Sequence, residues 1–560
     1  MKIKKKDANL QDYTMVERHQ MMRGVGYGET ALQRPQIGVV SSWGEINPAA
    51  NHLDKVTDQV KAGIWAAGGT PREFVISSIC TSMAGHDNYH LPHRDLVAGY
   101  IETVAMTNLF DAMVFVPVCD DVIPGHLMAA ARLNLPSVAV TGGYMQLNRY
   151  QGEELEPLDV APKHFGRFKD GEISGSVFKQ IQERGCQGGG ACPVMGTANT
   201  MAAMAEALGL ALPGNTCTPG IDSRLMRLAF GAGQQVMRLL SAGIRCSDIL
   251  SPEAFENAIR VLMALGGSTN AVLHLQAVAL ERNLDIRPET FTRLSEETPL
   301  LCDISPSGAP EHHMGHLDEA GGITAVLKEL EPLLSTAVLT ATGEALTKTL
   351  EAAAGGDGVI IRSADNPLAP DGGLIFLTGN LAPGGALVKK SAVPKPMQQH
   401  KGPAKVYADE DAACSALAAG DIKPGQVIIV RHVGPKGDPG MLLLQRFLWQ
   451  LAARGWHDKV AFLTDGRFSG TNKGCAVAHI APEASAGGPL AVVEDGDLIE
   501  IDIPGKKLEL HVREKELARR LKDWTPPDKK LKPGYLSIYS KMATSPDKGA
   551  ALDYGHKPRY

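Results

Sequence analysis

Aromatic residues are scarce in this 560-residue chain, at 5%, and no apolar run approaches the ~18 residues of a membrane span. Formal charge is nearly balanced, −6 from 56 basic and 62 acidic residues. No dense basic stripe appears, so the electrostatic footprint of a nucleic-acid binder is absent. Met1-Lys2-Ile3-Lys4-Lys5-Lys6 is basic, but no apolar stretch follows, so it does not read as a signal peptide. The nine cysteines (80, 119, 186, 192, 217, 246, 302, 414 and 475) are an odd number scattered over a long chain. They form no disulfide framework and fit a reducing compartment, which makes the expected location cytoplasmic. Internal repeats and low-complexity tracts are also lacking.

What is present is the texture of an α/β protein. The length calls for two or three domains, and the 60 glycines mostly punctuate apolar runs. Ile37–Val40, Glu73–Ile76, Met113–Val118 and Ser137–Val140 read as strands, with helix-like Leu53–Ala67 and Arg94–Thr107 between them. This alternation predicts a doubly wound, mostly parallel sheet with helices in residues 1–355. Ligands collect beyond the C-terminal strand ends of such sheets, where segments 43–51, 77–86 and 119–126 all fall.

A helical middle follows, with Thr197–Leu212, Ser223–Ala242, Pro252–Leu265 and Ala271–Glu281. Gly266-Gly267-Ser268-Thr269-Asn270 opens the last of these, and its backbone N–H groups are a candidate carboxylate or phosphate cradle. From residue 356 to 560 short β runs alternate with turns: Val359–Ile361, Leu374–Leu377, Val427–Val430, Val460–Leu463 and Leu498–Ile503. A β-barrel-like second domain is expected there, closed by a helix and an ordered strap after Lys506.

Two cysteines stand where a ligand would meet them. Cys119 follows a strand-like run, and Cys192 sits in the glycine-rich loop before a helix. A thiolate at a strand end or a helix N-terminus is exposed to a ligand and favoured by the helix dipole.

Read in order, the motifs resemble the dihydroxy-acid/phosphogluconate dehydratase family. Those motifs are Ser41-Ser42-Trp43-Gly44-Glu45-Ile46-Asn47-Pro48, Cys119-Asp120, Cys192 with Gly196-Thr197-Ala198-Asn199-Thr200-Met201, and Gly266 to Asn270. Asp371-Gly372-Gly373, Gly434-Pro435-Lys436-Gly437, Asp465-Gly466-Arg467-Phe468-Ser469-Gly470 and Ala543 to Ala550 continue the series. The resemblance implies elimination of water from a 2,3-dihydroxy acid to give a 2-keto acid. It also implies an iron–sulfur cluster on three cysteines, a nearby Mg²⁺ and a serine base.

Carried onto this chain, Cys119 and Cys192 match two cluster ligands, Asp120 matches a Mg²⁺ ligand, and Ser469 matches the base. Ala49 stands where the third cysteine is expected, Asp121 where a modified lysine is, and Leu443 where a glutamate is. The strand-end aspartate is replaced by Ser78 or Cys80. Cys80 is therefore the candidate third cluster ligand, with Cys186 a weaker contender. Asp120 and Asp121 are candidate ligands for a hard cation, and His52, His86, His90 and His126 lie in or near the same loops.

Elimination needs a base within ~3 Å of the C2 proton and help for the departing C3 hydroxyl. Ser469 serves only as an alkoxide, so Arg467 or a metal must lower its pKa. The expected function is thus a hydro-lyase for a sugar acid (aldonate), using a [4Fe-4S] or [2Fe-2S] cluster and possible Mg²⁺. Three alternatives stand beside it: the branched-chain dihydroxy-acid dehydratase, a mononuclear-metal enzyme, and a catalytically impaired binding protein. The expected partners are a small hydroxy acid and further copies of the chain in a homodimer or homotetramer, with no nucleic acid and no membrane.

Overall fold

The computed structural model describes residues 13–555 apart from 81–82, 84–86, 159, 307–311, 469–472 and 528–530. Four parallel strands, β1 (Gln36–Ser41), β2 (Thr70–Val75), β3 (Ala112–Val116) and β4 (Ser137–Ala139), form one sheet in the order β2-β1-β3-β4. Successive side chains point to opposite faces, and both faces are covered. Ile37, Val39, Val114 and Val116 pack with the helices Leu53–Ala66 and Ser223–Ala242. Val40, Met113 and Phe115 pack with the helices His90–Asn108 and Val122–Leu133. That is why these strands read as continuous apolar runs. The chain leaves β1 for β2 and then crosses to β3, so the connections diverge between the C-terminal ends of β1 and β3 and open a crevice there.

The middle helices begin and end where their capping residues dictate. Pro252–Leu265 is capped by Ser251, whose hydroxyl accepts from Ala254 N at 3.2 Å, and stops at Gly266 with φ 55°. The helix from Thr197 ends at Ala207 rather than near 212, because Gly209 at φ 82° turns the chain and Ala211 bridges to Ala139 beside β4. A small hairpin, β5 (Asn148–Tyr150) with β6 (Glu153–Leu155), follows the sheet.

The second domain is a closed barrel of β7 (Ile375–Gly379), β8 (Ala382–Val388), β9 (Gln399–Tyr407), β10 (Val427–Val430), β11 (Ala461–Thr464), β12 (Ala476–Ala481), β13 (Leu498–Asp502) and β14 (Lys507–Leu510). Leu377, Val388, Val427, Ile429, Leu463 and Ile499 fill one core, while Ile428, Val430 and Phe462 pack outward under the helices Glu410–Ala419 and Arg446–Ala453. Val359–Ile361, read from sequence as a β run, is not a strand. The backbone N–H groups of these three residues converge on Asp357 Oδ1 at 3.0, 2.9 and 3.0 Å, which folds the segment around the carboxylate. The C-terminal segment has two helices, Glu514–Asp523 and Tyr535–Met542, and then a strap. Buried Arg94 fastens that strap, donating to the carbonyls of Gly549 and Ala550 at 3.1 and 3.0 Å.

The domains meet closely. Asn88 Nδ2 donates to Asp438 Oδ1 at 2.5 Å. A Cβ on Gly440, whose φ is 110°, would lie 1.8 Å from the Asn88 carbonyl oxygen. No described helix is long and apolar enough to cross a membrane.

Candidate active site

Three loops at the crevice are stitched by short-range polar contacts. Ser42 N donates to Val116 O at 3.0 Å, and Ser42 Oγ accepts from Val118 N at 3.0 Å. Ser78 Oγ donates to Val118 O at 3.2 Å, and Asn47 Nδ2 donates to Ser78 Oγ at 2.8 Å. Asn47 Oδ1 then accepts from Ala49 N at 2.9 Å, fixing the loop that follows β1. The glycine-rich loop lies directly on this one, with Gly189 N and Gly190 N donating to the carbonyls of Pro48 and Ala49 at 2.9 and 3.1 Å. Only glycine fits at 190, since φ is 116° and a Cβ would lie 2.4 Å from the Tyr144 carbonyl carbon.

These loops enclose a cavity of about 360 Å³ whose wall carries Cys80, Cys119, Cys192 and Cys186, together with Ala49 and Asp120. The rest of the lining is largely apolar and includes Met83, Met145, Leu158 and Val194. The structure therefore brings four of the nine thiols to one place. Cys119 has φ 80°, a left-handed conformation that a β-substituted residue adopts at a cost of about 1 kcal/mol. It is held there as the chain turns from β3 into the helix Val122–Leu133, with Ile123 N donating back to Cys119 O at 3.3 Å. Its thiol hydrogen-bonds with Cys80, and that contact, burial and the Asp120 charge push its pKa well up. Burial and the Asp120 charge likewise raise Cys192. Asn199, one turn into the following helix, clamps the Cys192 loop by donating to the Cys192 and Val194 carbonyls at 2.6 and 2.8 Å.

Asp120 stands in the cavity wall, and burial, the Asp121 charge and Cys80 push its pKa up to about 7. Asp121 is not among the residues lining the cavity. It is fully buried, with Oδ1 at 3.4 Å from both Arg467 Nη1 and His274 Nε2 and Oδ2 at 3.7 Å from His90 Nδ1. Burial alone would raise its pKa, but Arg467 and the two histidines hold it well below the usual carboxylate range. Arg467 is further anchored by Nε donating to Met441 O at 2.8 Å, and Leu443 bridges to it as a neighbouring extended segment. Among the described residues, no three His, Cys, Asp or Glu side chains form a ready-made site for a single metal ion.

Ser469, expected as the base, lies outside the described residues, directly after Phe468; His86 lies outside them as well. His52 is occupied elsewhere, its Nε2 2.8 Å from Gly142 O. His126 is buried, its Nδ1 2.8 Å from Val122 O. The Gly266–Asn270 loop is no anion cradle. Three of its donors are used internally, Gly267 N to Leu262 O at 3.2 Å, Ser268 N to Thr200 Oγ1 at 3.1 Å and Asn270 N to Ser268 Oγ at 3.3 Å, and Ser268, Thr269 and Asn270 are buried. His274 and Arg94 escaped the sequence reading, because a histidine inside the apolar helix Asn270–Glu281 carries no local sign of a partner 153 positions away.

A two-domain α/β and barrel chain with a thiol-lined crevice is the frame in which the comparisons fall. The model of the dihydroxy-acid/6-phosphogluconate dehydratase N-terminal domain matches residues 34–349, and that of the C-terminal domain matches residues 359–550. The chain is 45% identical to the dihydroxy-acid dehydratase of Acetivibrio thermocellus over 538 residues, covering 95% of this chain and 97% of that protein. It is 44% identical to the dihydroxy-acid dehydratase of Moorella thermoacetica, with the same coverage. It is 41% identical to that of Methanothrix thermoacetophila over 539 residues, again 95% and 97% of the two chains. The chain belongs to the dihydroxy-acid/6-phosphogluconate dehydratase family and is a hydro-lyase by class.

Proposed function

We propose that the protein dehydrates a short, branched 2,3-dihydroxy carboxylic acid to the 2-keto acid in the crevice between β1 and β3. The single observation that carries this is the cavity of about 360 Å³, which unites Cys80, Cys119 and Cys192 with an otherwise largely apolar wall. Met83, Met145, Leu158 and Val194 suit an alkyl substituent. A polyhydroxylated chain would leave its hydroxyls unpaired against them, at about 1–3 kcal/mol for each buried group. Together with the relatives' names this favours the dihydroxy-acid reading over the sugar-acid one.

The thiol set fits an iron–sulfur cluster. A cluster spreads its thiolates over several irons, so it needs cysteines around one cavity rather than a tight single-ion site. Cys119 and Cys192 would hold it, with Cys80 in the place that Ala49 has vacated. When bound, such a cluster supplies a Lewis-acid iron for a hydroxyl group. The chain's own groups handle position and protons. Asp120, poised at about 7, carries a proton toward the departing hydroxyl and returns to the carboxylate. Ser469 takes the C2 proton, the C3–O bond breaks, and the enol formed becomes the 2-keto acid. The alkyl lining keeps water from the reacting carbons.

Anaerobic iron and sulfide quantitation of the unaltered chain and of Cys80→Ser tests the ligand set. Loss of most of the iron and sulfide in Cys80→Ser is expected. An unchanged cluster content would exclude Cys80.

A further inference from the structure

Asp121 is a carboxylate at the end of β3 in a family whose resemblance implies a Mg²⁺ ligand set there, yet its surroundings are those of an anion's binding site. Arg467 and His274 face one oxygen at 3.4 Å each, His90 faces the other at 3.7 Å, and Arg94 stands behind His274, with Nη1 3.3 Å from His274 Nδ1. Arg94 is itself paired with Asp95 at 3.0 Å, and burial holds His93, His274 and His479 below the usual histidine range, so Arg467 is the full positive charge that faces Asp121. Mg²⁺ demands a near-octahedral shell of oxygen ligands. Among the described residues, the barrel has Leu443 where the resemblance implies a glutamate ligand. Leu443, 5% exposed, brings an apolar side chain, and its bridged neighbour Arg467 brings a full positive charge. A divalent ion bound to Asp121 would share the carboxylate with a guanidinium that has nowhere to go, since Arg467 is 1% exposed and anchored by the Met441 carbonyl at 2.8 Å. The donor set does not fit the ion.

We propose that the Arg467 guanidinium, countered by Asp121, is the fixed cation of this site, so that the chain takes no divalent cation there and an ion pair joins its two domains instead. Arg467 keeps one buried nitrogen, Nη2, without a partner among the described residues, as expected of a cation built in to serve more than Asp121. The inference rests on family membership and side-chain geometry. It holds whether or not Cys80, Cys119 and Cys192 carry a cluster.

Electron paramagnetic resonance of equimolar Mn²⁺ added to the anaerobically purified full-length chain tests it. The unaltered chain is expected to leave the free-ion signal undiminished, and Arg467→Met, which leaves Asp120 and Asp121 uncompensated, to bind Mn²⁺ at least ~10-fold more tightly. Stoichiometric binding by the unaltered chain that Asp120→Asn abolishes would overturn the proposal. So would a folded Arg467→Met variant with no gain in affinity. Should that variant fail to fold, the unaltered chain and Asp120→Asn decide alone.

Discussion

Asp121 Oδ1 lies 3.4 Å from Arg467 Nη1, and this fully buried pair ties the loop after β3 to the barrel across 346 positions of sequence. A buried pair is itself a weak source of stability, but removing one partner strands the other charge. Asp121→Asn is therefore expected to cost about 3–5 kcal/mol, read as a lower urea midpoint. Asp121→Asn combined with Arg467→Met is expected to lose clearly less than the sum of the two single changes. Additive losses would show that the two side chains act independently.

His126 makes the fold sensitive to acid. Burial holds its pKa down to about 4, while the unfolded chain's histidine titrates near ~6.5. Between these values the unfolded state binds the extra proton, so the contribution of this group to stability is complete above ~6.5 and is lost as pH falls toward 4. His126→Met removes that slope. Its stability relative to the unaltered chain is expected to rise by about 1.5 kcal/mol between pH 6.5 and pH 5, as read from urea unfolding at each pH. A pH-independent difference would refute the assignment.

Ala49 stands where the family resemblance implies a cluster cysteine. It lines the same cavity as Cys119 and Cys192, so Ala49→Cys adds a thiol to an existing set without disturbing the Asn47 contact to its backbone nitrogen. Under air, iron loss from the variant is expected to be slower than from the unaltered chain, as followed by absorbance and iron content. Equal or faster loss would mean that position 49 does not face the cluster.

Gly440 is a test of how tightly the domains dock. Its Cβ would sit 1.8 Å from the Asn88 carbonyl oxygen, and its φ of 110° is strained for any L side chain. Gly440→Ala is expected to cost at least about 2 kcal/mol and to speed proteolysis between the domains.

Much of this was legible in the sequence for identifiable reasons. Strands buried on both faces are written as short apolar runs, so β1 to β4 and four of the eight barrel strands, β7, β10, β11 and β13, could be read, and loops at parallel strand ends converge by topology, which placed Cys80 beside Cys119 and Cys192. What could not be read depends on distant partners. Asp121 looks like a cation ligand until Arg467 and His274 are seen around it. Gly266–Asn270 looks like an anion cradle until Thr200 and Leu262 satisfy its donors. Val359–Ile361 has strand composition, but Asp357 claims its backbone.

The account turns on what the crevice dehydrates, and the direct measurement is 2-keto-acid formation by anaerobically purified full-length chain given 2,3-dihydroxy-3-methylbutanoate or gluconate. The branched acid is expected to react at least ~100-fold faster in kcat/KM, the discrimination expected when hydroxyls must be buried unpaired. Equal or faster turnover of gluconate, or no 2-keto acid from either by an iron-replete protein, would contradict it.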